Sequence, residues 1–106
     1  MINIPEKDIK RQVLDYLDAT RIFYHRNNTG AFKNDKGGFF KFGAVGSPDI
    51  ICVIKGTYLG IELKGTGGTQ SEEQKKFQTR LEAAGGKYIL ARSSEDVEEA
   101  IRQIKK

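Results

Sequence analysis

Asp49-Ile50-Ile51-Cys52-Val53-Ile54-Lys55-Gly56-Thr57-Tyr58-Leu59-Gly60-Ile61-Glu62-Leu63-Lys64 decides the fold of this chain. The run from Asp49 to Ile54 reads as a strand that is apolar on both faces, as expected for a central strand covered on both sides. Lys55-Gly56-Thr57 is long enough only for a turn. Tyr58 to Lys64 is therefore predicted to return antiparallel beside the first strand. Residues two apart in a strand share a face. Glu62 and Lys64 then point one way, and Ile61 and Leu63 the other. With the two strands adjacent, Asp49 reaches the spot that Glu62 and Lys64 face.

Upstream of this pair, Glu6 to Thr20 reads as an amphipathic helix, with Ile9, Val13, Tyr16 and Leu17 at helical spacing. Asn3 is the expected cap, with Glu6 as its capping-box partner and Pro5 in the first turn. Arg21 to Arg26 reads as a first strand, and Asn27-Asn28-Thr29-Gly30 as turn chemistry. Ala31 to Gly38 reads as a hinge-like stretch, and Phe39 to Phe42 as a short strand or hairpin arm. Gly43 to Pro48 is glycine-rich and suits a tight approach to the central strand.

Downstream, Gly65 to Gln70 reads as a flexible loop. Ser71 opens a helix and has capping-box spacing to Gln74. Gln74, Phe77, Leu81 and Ala84 share a face of that helix, and Gly85-Gly86 ends it. Lys87 to Ala91 reads as a strand, parallel to the Glu62 strand because a helix separates them. Ser94 begins a last helix with Val97, Ile101 and Ile104 apolar. Its acidic residues come early and its basic ones late, as the helix dipole favours. The whole is a single α/β domain over 1–106 without internal repeats.

Composition narrows the function classes. The 106 residues carry 18 Lys and Arg against 14 Asp and Glu, a net charge of +4 that mildly favours a polyanionic partner. Cys52 is the sole cysteine, which excludes a disulfide or a cysteine-based zinc site within one chain. It reads as a core filler in a reducing compartment. With no apolar leader-like run and no stretch of membrane-spanning length, a cytoplasmic protein without membrane association is expected. Gly65-Thr66-Gly67-Gly68 lacks the lysine and hydroxyl of a nucleotide-binding loop.

The chemistry rests on Asp49, Glu62 and Lys64. Two carboxylates and an ammonium at the edge of an apolar sheet suit metal-dependent phosphodiester hydrolysis. Each has a plainer alternative: a turn aspartate after Pro48, a solvated strand glutamate, and a salt bridge from Lys64 to Glu62. Gln74 is either a buried amide or a residue facing the scissile phosphate. Ser71 reads as a cap. His25 has no histidine or cysteine partner for a metal. Arg26, Lys33, Lys36 and Lys41 are candidate phosphate contacts, though a solvated loop explains them almost as well.

Six elements in order resemble the VRR-NUC family of the PD-(D/E)xK nuclease superfamily. They are Glu6; Arg26-Asn27-Asn28-Thr29-Gly30; Gly46-Ser47-Pro48-Asp49; Ile61-Glu62-Leu63-Lys64; Ser71-Glu72-Glu73-Gln74; and Gly85-Gly86. The resemblance spans nearly the whole chain and is to small stand-alone phage and bacterial members. It implies a restriction-endonuclease-like mixed β-sheet flanked by helices. It also implies a Mg²⁺- or Mn²⁺-dependent endodeoxyribonuclease with Asp49, Glu62, Lys64 and Gln74 in the active site. Metal ligands would come from Asp49, Glu62, the Leu63 carbonyl and Glu6. Branched or junction DNA is the implied substrate, and a homodimer the implied assembly. The alternatives are a non-catalytic nucleic-acid-binding accessory domain and a nuclease acting on RNA.

Overall fold

The computed structural model describes residues 2–27, 30–33 and 35–106, with 30–33 and 39–42 as backbone only. The element order is α1 (Glu6–Ala19), β1 (Tyr24–Arg26), β2 (Gly30–Lys33), β3 (Phe39–Phe42), β4 (Ile50–Ile54), β5 (Thr57–Leu63), α2 (Glu72–Ala83), β6 (Lys87–Ala91) and α3 (Ser94–Lys105). Four strands form a mixed sheet in the order β1-β4-β5-β6, and β2 and β3 form a separate antiparallel ribbon. The decisive hairpin is as expected: β4 pairs antiparallel with β5, with Ile50 opposite Ile61 and Ile54 opposite Thr57. β6 runs parallel to β5, with Glu62 beside Leu90. Among the described residues no helix is long and apolar enough to cross a membrane.

Strand alternation sorts the side chains. Ile50, Cys52, Leu59, Ile61, Leu63 and Ala91 project to one face and form one core with Ile9, Val13 and Leu17 of α1 and Val97 and Ile101 of α3. Cys52 lies within this core, and burial pushes its thiol up to about 11, so it acts as an inert filler. The other face carries Gly60, Glu62 and Tyr88 and receives α2, whose Phe77 ring meets Tyr88 at 6.1 Å. That face is less completely covered than expected for a central strand: Val53 of β4 is 43% exposed.

Three local expectations are corrected. The α1 cap is Pro5, with no side-chain cap bond, so Glu6 is the first helical residue and not the fourth of a capping box. The segment before Pro5 has another use: the Ile4 N–H donates to Thr66 Oγ1 at 2.9 Å, and the Thr66 N–H to the Ile4 carbonyl at 3.0 Å. β1 is only Tyr24–Arg26, because α1 closes in a reverse turn through Arg21 at φ 57°. There the Ile22 N–H reaches the Leu17 carbonyl and the Arg21 N–H the Asp18 carbonyl, the double bond of a helix C-terminal cap. The supposed hinge opens with β2, paired along its length to β3. Asn28 and Thr29 of the expected turn lie outside the described residues.

The α2 helix begins as the sequence indicates. The Gln74 N–H donates to Ser71 Oγ at 3.1 Å, and Gln74 Oε1 accepts from the Ser71 N–H at 2.8 Å.

Candidate active site

Asp49 sits immediately before β4, in a turn held from three sides. The Asn27 side-chain amide donates to Ser47 Oγ at 2.8 Å and to the Pro48 carbonyl at 2.9 Å, and the Asn27 N–H donates to the Asp49 carbonyl at 2.8 Å. Pro48 lies flat on β5 at Gly60, where an added Cβ would stand 2.6 Å from Pro48 Cγ. Gly46, at φ +81°, turns the chain against the start of α2, where a Cβ would stand 2.2 Å from the Glu73 carbonyl oxygen. These two bare glycines let the turn lie down between β5 and α2.

Held there, Asp49 Oδ2 accepts the Leu63 N–H at 2.8 Å. The carboxylate is thus bound to the main chain of β5 one residue after Glu62. Glu62 is 5% exposed, on the face opposite Ile61 and Leu63, as the strand period requires. Lys64 Nζ stands 4.0 Å from Glu62 Oε2, and the Tyr88 hydroxyl donates to Glu62 Oε1 at 3.4 Å. Burial pushes the Glu62 carboxyl up to about 8 from an ordinary 4.5. The charge of Asp49 and a carboxyl–carboxyl hydrogen bond to it act in the same direction, while Lys64 and Tyr88 pull it back. Burial, then the charge of Glu62, raises the Tyr88 phenol as well.

Two clefts meet at Asp49. One, of about 210 Å³, is lined by Glu6, Lys10, Arg26, Asn27, Asp49, Ile50 and Leu63. The other, of about 400 Å³, is lined by Val45, Gly46, Ser47, Asp49, Glu62, Ser71, Glu73 and Gln74. Asp49 and Glu62 therefore share one cleft and Asp49 and Glu6 the other. Among the described residues no three His, Cys, Asp or Glu side chains come together as a ready metal cage. The donor set at the convergent pair is all oxygen, and one carboxylate is desolvated beside another. That combination fits a hard divalent cation such as Mg²⁺ or Mn²⁺, whose charge would offset the crowding of the two carboxylates.

The other expected residues separate. Gln74 reaches the Asp49–Glu62 cleft, but its side-chain oxygen is engaged by the Ser71 cap. Arg26 ends β1 in the smaller cleft. Lys33 and Lys41 lie on the β2–β3 ribbon with their side chains outside the described detail, and Lys36 is exposed in the turn between them. His25 is exposed, and its Nδ1 stands 3.2 Å from the Arg26 carbonyl oxygen.

Sequence reasoning passed over Lys10 and Tyr88, and named Asn27 only as part of a turn. Lys10 follows Glu6 by one helical turn, a spacing visible in the sequence once Glu6 is placed at the site. Neither Lys10 nor Arg26 takes part in an ion pair among the described residues. Tyr88 carried no signal beyond its strand.

Comparison of the chain with protein-family models, with curated proteins and with solved structures gives no match.

Proposed function

We propose that this chain is a metal-dependent endonuclease that hydrolyses DNA phosphodiester bonds. Its fold would be restriction-endonuclease-like and its preferred substrate branched or junction DNA, as the resemblance to VRR-NUC nucleases implies. The observation that supports this reading best is the 2.8 Å bond from the Leu63 N–H to Asp49 Oδ2. It clamps one carboxylate onto the strand that presents the second carboxylate and the lysine.

Asp49 and Glu62, with the Leu63 carbonyl, would hold a Mg²⁺ or Mn²⁺ ion, and Glu6 would contribute from the neighbouring cleft. Such an ion acidifies a water and neutralises phosphate charge when bound. Lys64 places its ammonium where negative charge builds as the water oxygen bonds to phosphorus. The water gives up a proton to solvent, the bond from phosphorus to the leaving oxygen breaks, and that oxygen takes up a proton from solvent. Gln74 keeps Ser71 and the start of α2 in place beside the reacting phosphate. Lys10 and Arg26 contact an adjacent phosphate of the same strand, where they add affinity without reading sequence.

Labelled flap, junction, single-stranded, duplex and RNA substrates test the proposal with Mg²⁺, Mn²⁺ or EDTA. Cleavage of branched DNA with either metal and none with EDTA is expected. Binding to several of these substrates with no cleavage under any metal would overturn it in favour of an accessory binding domain. Cleavage confined to RNA would change the substrate. Symmetric cutting of a junction needs two sites, so a dimer mass by light scattering is expected.

A further inference from the structure

We infer that Arg92, just beyond β6, is a positioning residue that holds Lys64 and the start of α1 in place through one turn of backbone. This role rests on the nuclease reading above. The Arg92 guanidinium donates from Nη1 to the Gly65 carbonyl at 2.9 Å and from Nη2 to the Gly68 carbonyl at 2.5 Å. The turn between those carbonyls is closed by the Gly68 N–H on the Gly65 carbonyl at 3.1 Å. One planar fork thus spans both ends of the turn that follows Lys64, a geometry a lysine does not reproduce.

The turn touches the site on two sides. A Cβ on Gly68 would stand 3.3 Å from both Cβ and Cδ of Lys64, so the turn lies along the stem of that lysine. A Cβ on Gly65 would stand 2.7 Å from the Glu6 nitrogen and from the Ile4 carbonyl oxygen, so the turn also abuts the backbone that enters α1. The paired bonds between Ile4 and Thr66 fasten that side. Arg92 is itself anchored, because its N–H donates to Asp96 Oδ2 in the first turn of α3 at 2.9 Å. Its guanidinium makes no ion pair among the described residues. The cation is therefore used on two carbonyls, and its effect on Lys64 and Glu6 passes through the turn.

The test compares wild type, Arg92→Lys and Arg92→Ala in cleavage kinetics, thermal melting and amide hydrogen exchange. Misplacing a catalytic group by a fraction of an ångström to an ångström lowers turnover by roughly tenfold to a hundredfold. Arg92→Ala is expected to lose kcat in that range with KM for DNA nearly unchanged, because the phosphate contacts are elsewhere. Arg92→Lys, able to keep one of the two bonds, is expected to fall between. The Thr66 and Gly68 amides are expected to exchange faster in Arg92→Ala, with β4 and β5 amides unchanged. If Arg92→Ala exchanges faster at the turn yet cuts at the wild-type rate, the positioning role is overturned and the nuclease reading stands. A loss of rate that merely follows a loss of folded protein in both variants also overturns it. If the wild type cuts no substrate, the nuclease reading itself falls and takes this role with it.

Discussion

The two faces of the β1-β4-β5-β6 sheet are built to opposite rules. Toward α1 and α3, the strands present Ile50, Cys52, Leu59, Ile61, Leu63 and Ala91, all essentially excluded from solvent. Toward α2, they present Gly60, Glu62 and Tyr88, and α2 has no fully buried residue of its own. Consecutive residues of β5 belong to different regimes: Ile61 and Leu63 to the core, Glu62 to the site. The difference teaches that a period of two lets one strand carry core residues and a buried carboxylate side by side. Substitutions one residue apart should therefore differ in kind as well as in size.

The largest expected effect is on the α2 face. Lys64→Ala should lower cleavage on the order of a hundredfold to a thousandfold, as loss of one transition-state donor does. Melting temperature and DNA affinity should be nearly unchanged. A matching loss of stability would mean that the two faces are not separable.

Next, on the α1/α3 face, Leu59→Ala should cost about 3 kcal/mol in denaturant unfolding by opening a cavity in a closed core. At temperatures where the variant stays folded, its cleavage rate per folded molecule should match wild type.

A third test uses pH. The folded Glu62 carboxyl titrates at about 8 against an ordinary 4.5, so between those values the native state keeps a proton that the unfolded chain has released. The unfolded state then binds fewer protons, and stability falls as pH rises through that window. The contribution is complete below about 4.5 and gone above about 8. Glu62→Gln should flatten this slope in melts at successive pH values and be more stable than wild type at the alkaline end. An unchanged slope would place the titrating group elsewhere.

The smallest effect is at the α2 cap. Ser71→Ala removes one of two reciprocal bonds and should cost about 1 kcal/mol, with a modest loss of activity through Gln74.

Much of this was legible in the sequence for identifiable reasons. β4 and β5 announce themselves through apolar runs flanking a three-residue turn, and the Ser71–Gln74 box names its helix start by side-chain chemistry alone. The convergence of Asp49 on Glu62 followed from pleat and pairing. What escaped was set by contacts distant in sequence. The α1 helix starts at Glu6 as expected, but its cap is Pro5 in place of Asn3, and the Ile4 backbone pairs with Thr66, which no local pattern reveals. Strand β1 lost its first residues because Arg21 takes a left-handed conformation without the glycine that usually marks it. β2 was hidden because Gly30-Ala31-Phe32-Lys33 is a run of four residues, too short to show an alternating pattern. Glu6 had two readings in the sequence, capping-box partner and site residue; the missing cap bond removes the first, and Glu6 lines a cleft with Asp49.

The Ile4–Thr66 clasp also bears on how the site comes together as the chain folds. Asp49 and Leu63 are joined across 14 residues, within a single hairpin. Glu6 is brought in by a contact across 62. Closing the longer loop adds roughly 1 kcal/mol of chain entropy, about two doublings of length. The pair of carboxylates and the lysine thus lie within or beside one hairpin, joined by a short-range bond. The α1 contribution is a long-range addition, in place only when residues 62 apart have met.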